Sequence, residues 1–198
     1  MTLWYLARAL GFVALLAFTA STALGALATT APRTAVGRRD RLVRQLVHRS
    51  VAVLGLVTLT LHAAAIVADA FVDVSLPSTL VPFTAGYRPV AVGLGTLGLW
   101  AIVMTAVSGA SRGRLAASAA VARRWRVVHR LAYLGWALSL AHGLLAGTDT
   151  RQPWALATYA ACAVAVGTAW SWARLHHEPR RAVAADAHPQ LVRTGASS

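Results

Sequence analysis

Apolar residues run almost unbroken through five stretches, roughly 3–28, 46–68, 89–108, 127–147 and 154–173, with polar or arginine-bearing segments between them. Each stretch is close to the ~20 residues that cross a bilayer core as a helix. The pattern predicts an all-α polytopic membrane bundle of about five transmembrane helices over 1–175. The polar, Ala-rich segment 176–198 is expected to be a disordered cytoplasmic tail. The first stretch resembles a signal peptide in one respect, since ALGALATTA offers small residues for cleavage. Its apolar run is long, however, Arg8 interrupts its start and no basic region precedes it, so a retained helix is expected.

The polar segments set the orientation. Arg33, Arg38, Arg39, Arg41 and Arg44 lie between stretches one and two. Arg112, Arg114, Arg123, Arg124 and Arg126 lie between three and four, and Arg174, Arg180, Arg181 and Arg193 follow the fifth. The other two connections carry only Arg88 and Arg151, near Asp69, Asp73 and Asp149. The positive-inside rule then gives N-terminus out and C-terminus in, for a multi-pass protein of the cell (plasma) membrane.

Composition agrees with a membrane setting. The chain has 198 residues, 57% hydrophobic and 13% charged, too apolar for an ordinary soluble domain. All 19 basic residues are arginine, and the net charge is +13. These charges sit between apolar runs rather than on one folded face, so they read as topology signals for a lipid bilayer and not as a nucleic-acid surface. Trp4, Trp100, Trp125 and Trp154 fall near span ends, where aromatic belts are expected.

The chemistry lies in four histidines. His48 and His62 are fourteen residues apart in the second stretch, and His129 and His142 thirteen apart in the fourth. An imidazole in hydrocarbon is costly unless paired, solvated or bound to metal. With the two stretches running in the same direction, His48 meets the level of His129, and His62 that of His142. The intervals correspond to about 21 Å and 19.5 Å of rise, which places one pair in each leaflet. Such an arrangement suits two stacked haems, each gripped by two imidazoles. Zinc sites gather three or four ligands around one centre, which histidines this far apart along a helix cannot do.

Fourteen residues return an ideal helix to within about 40° of its start, whereas thirteen leave it about 140° short of four turns. The His129–His142 segment therefore needs a local distortion or a strong crossing, and Gly135 and Gly143 are placed to permit one. Cys162, the single cysteine, excludes an intrachain disulfide and a CxxCH attachment, so any haem is non-covalent. Arg49 and Arg126, beside the first pair, are candidates to bind haem propionates, with Arg44 and Arg130 nearby. At the outer face Arg88 and Arg151 are the available cations, and Arg88 in TAGYRPV is the candidate there. The outer connection DAFVDVSLPSTLVPFTAGYRPV is apolar but broken by Pro77, Pro82 and Pro89. It reads as an interfacial segment able to lid the outer site. His176 and His177 read as part of a solvated basic end.

The stretches LVHRSVAVLGLVTLTLHAA and WRVVHRLAYLGWALSLAHG, with the outer VPFTAGYRP, resemble the ferric reductase-like transmembrane domain family, which includes the membrane part of NADPH oxidases. The resemblance spans about Trp4 to Trp172. It implies two b-type haems, with His48 and His129 as ligands of one and His62 and His142 of the other. It further implies transmembrane electron transfer to ferric iron, oxygen or another acceptor. Two departures stand beside it: relatives commonly have six helices, and full-length members add a flavin- and nicotinamide-binding domain. About 25 residues follow the last stretch here, without a GxGxxG loop. A separate donor, a flavoprotein or quinol, is therefore expected, with ferric iron, oxygen or a redox protein as acceptor. The chain reads as the membrane component of an oxidoreductase, with no residue set resembling an acid–base or nucleophile site. A haem- or quinone-binding anchor subunit of a separate reductase, and a haem-free transporter or scaffold using its histidines as polar glue, are the alternatives.

Overall fold

The computed structural model of the protein describes residues 2–28, 35–111 and 119–176. The expected tail, with His177 and His188, lies outside the described residues, as do Arg33, Arg112, Arg114, Arg180, Arg181 and Arg193. The described residues form helices and no strand: α1 (Thr2–Leu27), α2 (Ala35–Val67), α3 (Leu76–Leu80), α4 (Pro89–Ala110), α5 (Ala119–His129), α6 (Leu131–Ala146) and α7 (Pro153–Leu175). Four helical stretches are long and apolar enough to cross a membrane: α1, α2 from Arg39 onward, α4 and α7. The protein is an all-α, multi-pass membrane bundle.

Helix α2 begins well before the expected 46, so the arginines Arg39, Arg41 and Arg44 ride on its first turns rather than in a loop. At about 1.5 Å per residue its 33 residues exceed the hydrocarbon thickness, and the charged end projects beyond it. The fourth expected span is not one helix. It divides at Arg130 into α5 and α6, the latter 16 residues long. There the Arg130 amide is shared between the carbonyls of Arg126 and Val127, and the Tyr133 amide reaches Arg130 O at 3.1 Å. These i to i−3 bonds wind the chain more tightly than an α-helix. The distortion required by the thirteen-residue interval therefore lies at Arg130, directly after His129, and not at Gly135 or Gly143. Those two glycines serve packing: Gly135 lies against Ala101 and Ile102 of α4, and Gly143 against Tyr159 of α7.

Two antiparallel hairpins build the bundle. Helix α1 packs along α2, and α4 along α6, while α7 rests on α1. The histidine-bearing α2 and α6 are not among the closely packed pairs, so a slot separates them. Contacts are made through small residues, as lipid-embedded helices require for close approach. Ala7, Ala14, Ala17, Ser21 and Ala26 are buried along α1. Bulky residues face outward instead, such as Leu46, Val53, Val57 and Leu61 along α2. One apolar layer crosses the middle of the molecule. In it Phe18, Ala14 and Ile102 are buried, with the half-buried Leu56, Leu59 and Trp136 packed against them, and the Trp136 Nε1–H donates to Thr19 Oγ1 at 2.9 Å. The Phe18 ring lies so close over Gly55 that a Cβ there would meet it at 2.8 Å. A second cluster joins α7 to α1 through Leu15, Ala155, Tyr159 and the buried Cys162.

Substituting Gly55→Val should force the first hairpin apart and lower stability by about 1–3 kcal/mol. Gly167→Val, where an added Cβ meets nothing within 4 Å, should leave stability unchanged. Thermal unfolding of both variants in detergent checks the difference.

Candidate functional site

The bundle brings the four histidines together as two facing pairs. The rings of His48 and His129 have centroids 6.2 Å apart at 65°, and those of His62 and His142 are 6.3 Å apart at 80°. The pairing matches the level assignment drawn from spacing. It arises because α2 and α6 run in parallel across the slot, while each is flanked by an antiparallel neighbour.

Each ring is held from behind by that neighbour. His62 Nδ1 donates to Ala7 O at 2.7 Å, His142 Nδ1 to Ala91 O at 2.8 Å and His48 Nδ1 to Ser21 O at 2.8 Å. A carbonyl only accepts, so these rings carry their proton on Nδ1. His129 reaches the same state through a hydroxyl. Ser108 Oγ donates to Thr105 O at 2.7 Å and so accepts from His129 Nδ1 at 3.2 Å. In each neutral imidazole the remaining lone pair is on Nε2, on the side of the ring away from the flanking helix. A hydrogen bond at one ring nitrogen fixes the tautomer and orientation of the ring, as it does for metal-binding histidines.

The separations match one metal atom between two rings. Two imidazole–metal bonds of about 2.0 Å, plus about 1.1 Å from each nitrogen to its ring centre, add to about 6.2 Å. Among the described residues no three His, Cys, Asp or Glu side chains converge; the histidines meet in twos. Around His62 and His142 the slot widens into a cavity of about 190 Å³ lined mainly by apolar side chains, among them Phe18, Leu59, Ile66 and Leu99. Val72, Val74, Thr79 and Tyr87 of the outer connection also line it. That connection folds through the capped α3 and is tied to α4 by Trp100 Nε1–H, which donates to Leu80 O at 3.0 Å.

The candidate arginines are arranged differently. Arg49 and Arg126 are exposed, next to His48 and one turn before His129 respectively. Arg88 is exposed at the start of α4 in a left-handed conformation, φ 40°. Its guanidinium donates to Leu145 O at 2.7 Å, which caps the C-terminal end of α6. Arg44 likewise donates to Leu27 O at the end of α1. The sequence did not single out Arg8, which only interrupts an apolar run. Arg8 lines the cavity beside His62 and His142 and is ion-paired with Asp149, with side chains 25% and 18% exposed. Its Nε is buried without a hydrogen-bond partner. Arg8 therefore joins Arg88 and Arg151 among the cations on that side. Trp125, expected in an aromatic belt, stacks on His129 at 5.0 Å and 17°, its Nε1–H donating to Ser108 O at 2.7 Å.

Comparison of the chain with protein-family models, curated proteins and solved structures finds no match.

Because Arg8 and Asp149 are largely shielded partners, removing one leaves the other uncompensated. Asp149→Asn and Arg8→Gln should each lower thermal stability more than their combination implies. A coupling of about 0.5–3 kcal/mol in a double-mutant cycle is the expected result.

Proposed function

We propose that the protein is a membrane cytochrome b-type electron carrier, ferric reductase-like, holding two non-covalent haems b and moving electrons across the plasma membrane. The observation that carries this reading is the matched pair of facing imidazoles. Both pairs have the ring separation that two imidazoles would need to hold one iron between them, and their Nδ1 atoms are engaged by the flanking helices. His48 and His129 would ligate one iron, and His62 and His142 the other, with the N-out orientation placing the first site toward the cytoplasm. Bound haem supplies a one-electron Fe(III)/Fe(II) couple.

The chain's own residues contribute rigidity, dryness and charge. Backbone carbonyls hold His48, His62 and His142, and the Ser108 hydroxyl holds His129, each in one orientation, so that little rearrangement would accompany a change of iron charge. The apolar layer of Phe18, Ile102 and Trp136 excludes water between the two sites. Arg49 and Arg126 near the first site, and Arg88 and Arg8 near the second, are positioned to offer guanidinium groups to carboxylates at the membrane edges. The electron donor is proposed to be a separate flavoprotein or quinol, and the acceptor ferric iron, oxygen or a redox protein. The Nδ1–carbonyl bonds would also serve a haem-free bundle with histidines as polar glue. That reading leaves unexplained why α2 and α6 stand apart and why their rings face each other at a metal-bridging distance.

Pyridine haemochrome analysis of the purified protein should give two haems b per chain. His62→Leu should remove one and leave the spectrum of the other, and His48→Leu should do the converse. Absence of a Soret band after expression in haem-sufficient cells, or retention of both haems in His62→Leu, refutes the proposal.

A further inference from the structure

This inference rests on the haem-binding reading and deepens it. Behind each histidine, on the flanking helix, stands a glycine. A Cβ added at Gly95 would lie 2.7 Å from His142 Nδ1, and one at Gly11 3.1 Å from His62 Nδ1. At Gly25 it would lie 3.3 Å from His48 Cε1, and at Gly109 3.4 Å from His129 Cε1. Gly11 and Gly25 are fourteen residues apart, as are Gly95 and Gly109.

The glycines keep a fixed register with the hydrogen-bond acceptors. Ala7 precedes Gly11 by four residues, Ser21 precedes Gly25, and Ala91 precedes Gly95. Thr105 precedes Gly109 by four and is reached through the Ser108 hydroxyl. In an α-helix the carbonyl of residue i already accepts from the amide of i+4, and the side chain of i+4 stands beside it. A second donor from another helix has to approach past that side chain. Glycine leaves the approach open. Conformational freedom does not explain these residues, because no described glycine has a positive φ and each glycine in a helix interior costs about 0.5–1 kcal/mol relative to alanine.

We infer that Gly11, Gly25, Gly95 and Gly109 are positioning residues: the first three open one carbonyl each to His62, His48 and His142, and Gly109 leaves room for His129 beside the Ser108 hydroxyl. They thereby set imidazole basicity and the potential of each bound iron. A carbonyl accepting the Nδ1 proton makes the ring a stronger electron donor and favours the ferric state. Loss of that bond raises the midpoint potential of the affected site alone. Gly11 and Gly95 act on the His62–His142 site, and Gly25 and Gly109 on the His48–His129 site.

The test is an alanine series at the four glycines, with Gly167→Ala as control because a Cβ there meets nothing within 4 Å. The first readout is nitrogen-15 NMR of histidine-labelled protein, which reports Nδ1 protonation and hydrogen bonding with or without porphyrin. The second is a spectroelectrochemical titration of the two haems. Gly95→Ala should shift the His142 Nδ1 resonance, raise one midpoint and weaken haem retention at that site by about 10- to 100-fold. Effects should decrease in the order Gly95, Gly11, Gly25, Gly109. Should Gly95→Ala fail to fold, the milder Gly25→Ala must still shift the His48 resonance. The inference is overturned if the glycine variants match Gly167→Ala in the NMR readout, or if both midpoints move together. A haem-free wild type with intact Nδ1–carbonyl signals would instead overturn the functional reading, and with it the effect on iron potential, and leave standing only the opening of the carbonyls to the histidines.

Discussion

A histidine inside a lipid-embedded bundle has two ring nitrogens to satisfy, and satisfying one of them against a backbone carbonyl is the constraint on which this fold turns. An unmatched polar group costs several kcal/mol in such surroundings. An interhelical hydrogen bond recovers about 0.6–2 kcal/mol. The bonds from His62 to Ala7 and from His142 to Ala91 reduce that cost and also order the bundle. They dictate which helix stands behind which ring, and hence that α1 flanks α2 and α4 flanks α6. Once those hairpins form, the second nitrogens are left on the slot side, where the two histidine helices do not pack closely.

The two hairpins repeat one plan. In the first, Gly11, Phe18 and Gly25 face His62, Gly55 and His48; in the second, Gly95, Ile102 and Gly109 face His142, Gly135 and His129. Positions seven apart recur on one side of a helix only when the helices wrap slightly around one another. That seven-residue step on α1, α2 and α4 places a site, a central apolar layer and a second site at successive levels, and the tighter winding at Arg130 takes up the one step of six between His129 and Gly135.

Much of this was legible in the chain itself. Apolar run length gave the all-α membrane bundle, and the intervals between histidines gave the facing pairs, because both depend on helical geometry alone. Other features depended on tertiary packing and carried no local signal. Arg8 looks like an interruption in an apolar run until Asp149 folds over it. Trp125 sits where a belt residue would, yet stacks on His129. The glycines read as unremarkable helix content until the opposing rings are in place. The early start of α2 was hidden because its first turns are rich in arginine, and apolar pattern marks only the part of a helix that meets lipid or protein.

The division at Arg130 has a mechanical consequence. His48 and His62 are carried on a single rod, so any tilt of α2 displaces both rings in concert. His129 belongs to a short lever bearing Trp125 and the neighbouring arginines, and His142 to a different segment beyond the joint. A push on the lever from the aqueous side would turn one imidazole of one pair and leave the remaining three where they are.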